Sequence, residues 1–137
     1  MRALAKPFQK AKASELSLHF TVEAYLKRAW PAHLRYTHFP AGELRDLGTA
    51  RKLAQMGLKR GWPDFIFVMP NGQFAGLELK APGGKLSDDQ AALRADLMAC
   101  GAGYATARSP EEVETIITRW LDAYGLKPRA TITRRAA

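Results

Sequence analysis

The stretch that decides the fold runs from Gly61 to Gln90 and reads GWPDFIFVMPNGQFAGLELKAPGGKLSDDQ. Within it, Phe65-Ile66-Phe67-Val68-Met69 has the length and β-rich composition of a strand, and Pro70-Asn71-Gly72 is a turn signal. The run from Phe74 to Lys80 alternates with period two, so Leu77 and Leu79 face one way and Glu78 and Lys80 the other. The reading is a β-hairpin. A three-residue loop at 70–72 pairs Met69 with Gln73 and sets Asp64 directly across from Glu78. A two-residue loop would break that register and turn Asp64 to the opposite face.

Two carboxylates facing each other on adjacent strands repel, so the arrangement calls for an offsetting charge. A divalent cation such as Mg²⁺, which takes carboxylate oxygens and keeps several waters, would supply it. Lys80 shares the face of Glu78 and is placed to position or activate a water. Beyond the hairpin, Ala81-Pro82-Gly83-Gly84-Lys85 is a loop, and Ser87-Asp88-Asp89-Gln90 is a capping box with Ser87 at the N-cap and Gln90 at N3. The helix it opens runs to Cys100 and ends at Gly101.

Working outward, Gly103-Tyr104-Ala105-Thr106-Ala107 reads as a last, buried strand. Ser109, Pro110 and Glu112 then start a helix as N-cap, N1 and N3. Val113, Ile116, Ile117, Trp120, Leu121 and Tyr124 give that helix its apolar stripe, and Gly125 ends it. Upstream, Thr49 to Met56 is a short helix with Gly57 as its cap. Leu34 to Phe39 is a first strand. A first helix extends from Ser14, as N-cap, to Trp30, with Leu18, Val22, Tyr25, Leu26 and Ala29 on its apolar side. The three histidines, His19, His33 and His38, lack metal-ligand spacing and read as packing or surface groups. His38 stands out because a strand-end histidine could contact a phosphate.

At 137 residues the chain is long enough to build one core without disulfides or structural metal. Its single cysteine, Cys100, excludes an internal disulfide and a cysteine-based zinc site, and fits a reducing, cytoplasmic setting. We expect Cys100 to be a small core residue near a helix end. No apolar run approaches membrane-spanning length, and the N-terminal region has no apolar signal-peptide core. The net charge of +8 is uneven: residues 1–14 and 127–137 each carry four basic residues and no acid, while the 13 basic and 13 acidic residues between them cancel. The expected organisation is a basic flexible arm (1–13), one domain (14–126) and a basic flexible tail (127–137). Basic arms on a neutral body suit a polyanion such as DNA, and solubilising ends are the plain alternative. Arg45, Arg51, Lys52, Lys59 and Arg60 lead into Asp64, and Lys85 follows the hairpin; these are the candidates for phosphate-backbone contact.

Pro63-Asp64, thirteen residues, then Glu78-Leu79-Lys80 resembles the PD-(D/E)xK nuclease signature. Met56-Gly57, Gly61-Trp62-Pro63-Asp64, the hairpin and Gly84-Lys85-Leu86-Ser87 with Gln90, in that order, are similar to its VRR-NUC (virus-type replication-repair nuclease) branch. The likeness spans Ser14 to Gly125. It implies an α/β, restriction-endonuclease-like core, a small mixed sheet of about four strands flanked by helices, which the element order also allows. It further implies Asp64 and Glu78 as ligands of Mg²⁺ or Mn²⁺, Lys80 as the catalytic lysine and Gln90 as a supporting residue. Glu15 matches the family's metal-site glutamate on helix one, with Glu23 as competitor; an acid in a first helical turn also simply suits the helix dipole.

The implied function is metal-dependent hydrolysis of DNA phosphodiesters, selective for four-way (Holliday) junctions or other branched DNA, by a homodimer of phage or bacterial type. A site-specific endonuclease of the same fold, a non-catalytic DNA-binding protein and a purely structural or assembly module are the alternatives.

Overall fold

The computed structural model describes the backbone of residues 7–40 and 46–132, and side-chain surroundings from Ser14 onward within those limits. The element order is α1 (Pro7–Ala29), β1 (Tyr36–His38), α2 (Leu47–Gln55), β2 (Phe65–Val68), β3 (Phe74–Leu79), α3 (Asp88–Ala99), β4 (Gly103–Ala107) and α4 (Pro110–Asp122). The strands form one sheet in the order β1-β2-β3-β4. The first two neighbouring pairs are antiparallel, and a helical crossover through α3 joins β3 to β4, so the sheet is mixed. This is the α/β architecture expected. Among the described residues no helix is long and apolar enough to cross a membrane.

The chain divides into two compact units. One contains, of the described residues, 35–40, 46–78 and 85–105. Its hairpin has the three-residue loop: Met69 N–H donates to Gln73 O at 2.9 Å and Gly72 N–H to Met69 O at 2.8 Å. Phe65 pairs with Leu77 and Val68 with Phe74. Phe65, Phe67, Ala75 and Leu77 are fully or nearly fully buried, and the Tyr36 ring stacks on Phe67 at 5.7 Å. Two glycines permit close approaches here. A Cβ on Gly76 would lie 2.5 Å from Pro63 Cγ, so only a bare strand position lets Pro63 sit over β3. A Cβ on Gly61 would meet the Asp89 carbonyl oxygen at 2.7 Å, and the residue's φ of +88° is itself one that side-chain-bearing residues avoid.

The helices of this unit are capped as their sequences dictate. Asp46 caps α2, accepting from Thr49 N–H at 2.8 Å and from the Thr49 hydroxyl at 2.6 Å. These bonds hold its carboxyl below the usual carboxylate range. Ser87 and Gln90 complete the capping box of α3. Neither α2 nor α3 buries any residue fully, which corrects one expectation: Cys100, at the C-cap of α3, is exposed rather than in the core. β4 is likewise less enclosed than its small side chains suggest; only Ala107 is fully buried.

The other unit contains, of the described residues, 7–34, 79–84 and 106–132, with α1 packed on α4. Val22, Tyr25, Leu26, Ala29 and Trp30 on α1, and Val113, Ile117 and Leu121 on α4, are buried, as their periodicity predicts. Helix α1 starts at Pro7, so Ser14 is a helix-interior residue and not an N-cap. A proline is tolerated in a first turn, where its missing N–H costs nothing, and it therefore does not break this segment. The C-terminal segment is tied down as far as it is described. Arg129 N–H donates to Ala29 O at 2.8 Å, its Nε to Trp30 O at 2.9 Å and its guanidinium to Lys27 O at 3.2 Å, closing the C-terminal end of α1.

Candidate active site

The hairpin register, carried one residue beyond the Phe65–Leu77 pair, sets Asp64 opposite Glu78, as the three-residue loop requires. Directly opposed residues of an antiparallel pair project from the same face. Glu78 lies on a strand that is buried on both faces, and only 4% of it is exposed. A buried carboxylate is costly unless donors or cations surround it. Gln90 supplies one donor: its Nε2 gives a hydrogen bond of 2.9 Å to Glu78 Oε1. The same side chain accepts from Ser87 N–H through Oε1 at 2.9 Å, while Gln90 N–H donates to Ser87 Oγ at 3.2 Å. One glutamine therefore closes the cap of α3 and grips a carboxylate on β3. The sequence allowed for both roles, and the geometry unites them.

The oxygen-only pair of Asp64 and Glu78 fits a hard divalent cation, which binds through one or two carboxylates and retains water. Among the described residues no three of His, Cys, Asp and Glu gather as a ready-made metal cluster. Glu15, half-buried on α1, accepts from Ala81 N–H at 3.4 Å, immediately after Lys80 in the chain. Lys80 extends the ladder past β3, donating its N–H to Ala107 O at 3.0 Å, and is half-buried. Glu23 is half-buried as well. Of the six basic candidates, Arg51, Lys52, Lys59, Arg60 and Lys85 are exposed to solvent, as groups that meet a phosphate backbone must be. Arg45 lies outside the described residues.

Three structural supports were not read from sequence. Arg108 donates from its guanidinium to Gly84 O at 2.7 Å, and its N–H to Glu112 Oε2 at 2.6 Å, pinning the loop that follows Lys80. Gln73 reaches the carbonyl of Gly101 at the far end of α3. His38 approaches the backbone of Asp64 rather than solvent phosphate, with Nδ1 2.8 Å from Asp64 O. Gly76 carried a signal that sequence could have used, since a glycine inside an otherwise well-formed strand marks a close approach.

A mixed four-stranded sheet with flanking helices and an acidic pair on its hairpin defines an α/β protein of nuclease-like build. The chain belongs to the VRR-NUC family, whose domain matches residues 22–111. It is similar to a solved structure described as a VRR_NUC domain protein, at 20% identity and a TM-score of 0.64, over 79% of this chain and 88% of that one. Among curated proteins none matches the sequence. Family membership gives the chain a nuclease-type, DNA-processing function.

Proposed function

We propose that this protein is a metal-dependent DNA endonuclease that hydrolyses phosphodiester bonds at branched DNA, four-way junctions foremost, as a cytoplasmic homodimer. The observation that carries this reading is Glu78, buried on β3 and held by Gln90, with Asp64 immediately preceding the facing strand β2. Asp64 and Glu78 would hold Mg²⁺ or Mn²⁺, with Glu15 as the further ligand taken from helix one. Such an ion, when bound, lowers the pKa of its water and stabilises charge on the phosphate.

The chain's own residues do the rest. Gln90 fixes the orientation of the Glu78 carboxylate, which leaves little freedom to lose when a ligand arrives. Lys80 orients the attacking water or neutralises charge on the phosphate. The exposed cations of α2 and the segments after it and after β3 hold the DNA backbone, a contact blind to base sequence. That favours recognition of shape. Symmetric cutting of a junction needs two active sites, hence the dimer.

The test is cleavage of a labelled four-way junction beside linear duplex and single strand, in Mg²⁺, Mn²⁺ or EDTA, with Asp64→Ala as control. Paired cuts confined to the junction, dependent on metal and lost in the control, are expected. Equal cutting of all three substrates would reduce the reading to a general nuclease. Binding without cutting under every condition would overturn catalysis itself.

A further inference from the structure

His38 closes β1, where it pairs with Phe65, and its Nδ1 lies 2.8 Å from the backbone carbonyl oxygen of Asp64. The Phe39 N–H donates to that same oxygen, also at 2.8 Å. A carbonyl oxygen only accepts, so the proton of the neutral ring sits on Nδ1. Asp64 O thus receives two donors, one for each lone pair. The ring itself is steadied by an edge contact with Phe65, centroids 6.0 Å apart.

We propose that His38 is a positioning residue for Asp64, clamping the peptide group next to the Cα that carries the carboxylate. The proposal deepens the nuclease reading and rests on Asp64 being part of its site. β1 is only three residues long, and its last ladder contact is the Phe39–Asp64 bond. A single hydrogen bond at a strand end frays; a second one from a packed ring does not leave Asp64 that freedom. Ligation by the ring is the competing role. The contact of Nδ1 with the Asp64 backbone oxygen is what favours positioning. Residues that orient metal ligands typically cost about 10–100-fold in affinity or activity when removed.

Asparagine and glutamine separate the two roles, because Asn Nδ2 falls where Nδ1 does and Gln Nε2 falls where Nε2 does. The experiment compares His38→Asn, His38→Gln and His38→Ala in the full chain. Mn²⁺ affinity is read by calorimetry, kcat and KM on the junction, and the ring tautomer of the wild type by ¹⁵N NMR in EDTA. His38→Ala and His38→Gln should weaken Mn²⁺ binding and kcat by about 10-fold or more with KM for DNA little changed. His38→Asn should recover most of both, and the metal-free ring should be protonated at Nδ1. Rescue by glutamine and not asparagine, an Nε2-protonated ring, or three variants indistinguishable from wild type would each overturn the proposal. If the alanine variant does not fold, the asparagine and glutamine pair decides alone. A wild type that cuts nothing would fail the nuclease reading, while the tautomer and Mn²⁺ measurements would still judge the clamp.

Discussion

Replacing Gln90 with glutamate tests whether the link between the α3 cap and Glu78 matters. Glutamate retains the oxygen that accepts from Ser87 N–H, so the capping box survives. It replaces the Nε2 donor with an acceptor 2.9 Å from Glu78 Oε1. Two unit charges at that separation repel by about 6 kcal/mol at an effective dielectric of roughly 20. Rotation of the new side chain relieves part of this. What remains is at least the lost bond to a charged group, about 1.5–3 kcal/mol. We therefore expect Gln90→Glu to lose about 2–4 kcal/mol in urea unfolding followed by tryptophan fluorescence in EDTA at neutral pH, and to lose cleavage. Ser87→Ala supplies the contrast. It removes only the Ser87 Oγ cap and should cost about 1 kcal/mol with cleavage retained. A Gln90→Glu variant as stable as wild type would refute the claimed grip on Glu78. So would a Ser87→Ala variant equally defective in cleavage, since capping alone would then explain both.

Gly76→Ala should destabilise by about 1–3 kcal/mol and impair cleavage, because its methyl meets Pro63 2.5 Å away and Asp64 follows Pro63 in the chain. Unchanged unfolding and activity would mean that Pro63 moves freely. The Tyr25 hydroxyl, whose pKa burial and then Glu114 push up to about 12, has no hydrogen-bond partner among the described residues. Its folded value lies above its ordinary one, so its contribution to stability is intact below pH 10 and is lost as pH rises towards 12. Tyr25→Phe should leave neutral-pH stability within about 1 kcal/mol of wild type and remove on the order of 2 kcal/mol of the alkaline loss. Superimposable alkaline stability curves would count against it.

The hairpin was legible because three local signals agree: strand composition, a Pro-Asn-Gly turn and strict alternation from Leu77 to Lys80. Together they set the register from Phe65 opposite Leu77 to Val68 opposite Phe74, which carried one residue further brings Asp64 towards Glu78. The α3 cap was legible for the same reason, as Ser87 and Gln90 sit at fixed spacing. What escaped depends on neighbours distant in sequence. Cys100 follows a helix that looks half-apolar, yet nothing covers it, and exposure is a property of packing that α3 alone does not encode. Arg129 finds the carbonyls at the end of α1 about a hundred residues away, a match that no local pattern announces. Ser14 illustrates the opposite error, since it carries a local N-cap signature yet lies inside a helix that already starts at Pro7.

The exposed position of Cys100 has a practical reach. With one thiol per chain, any disulfide must join two molecules, so air oxidation would manufacture a covalent pair. Assembly state has therefore to be measured under reductant, where only non-covalent association survives. The same thiol is a single attachment point for a fluorophore. It stands about 15 Å along α3 from Gln90, at about 1.5 Å of rise per residue. A probe there can report on DNA binding without touching Asp64, Glu78 or the cap.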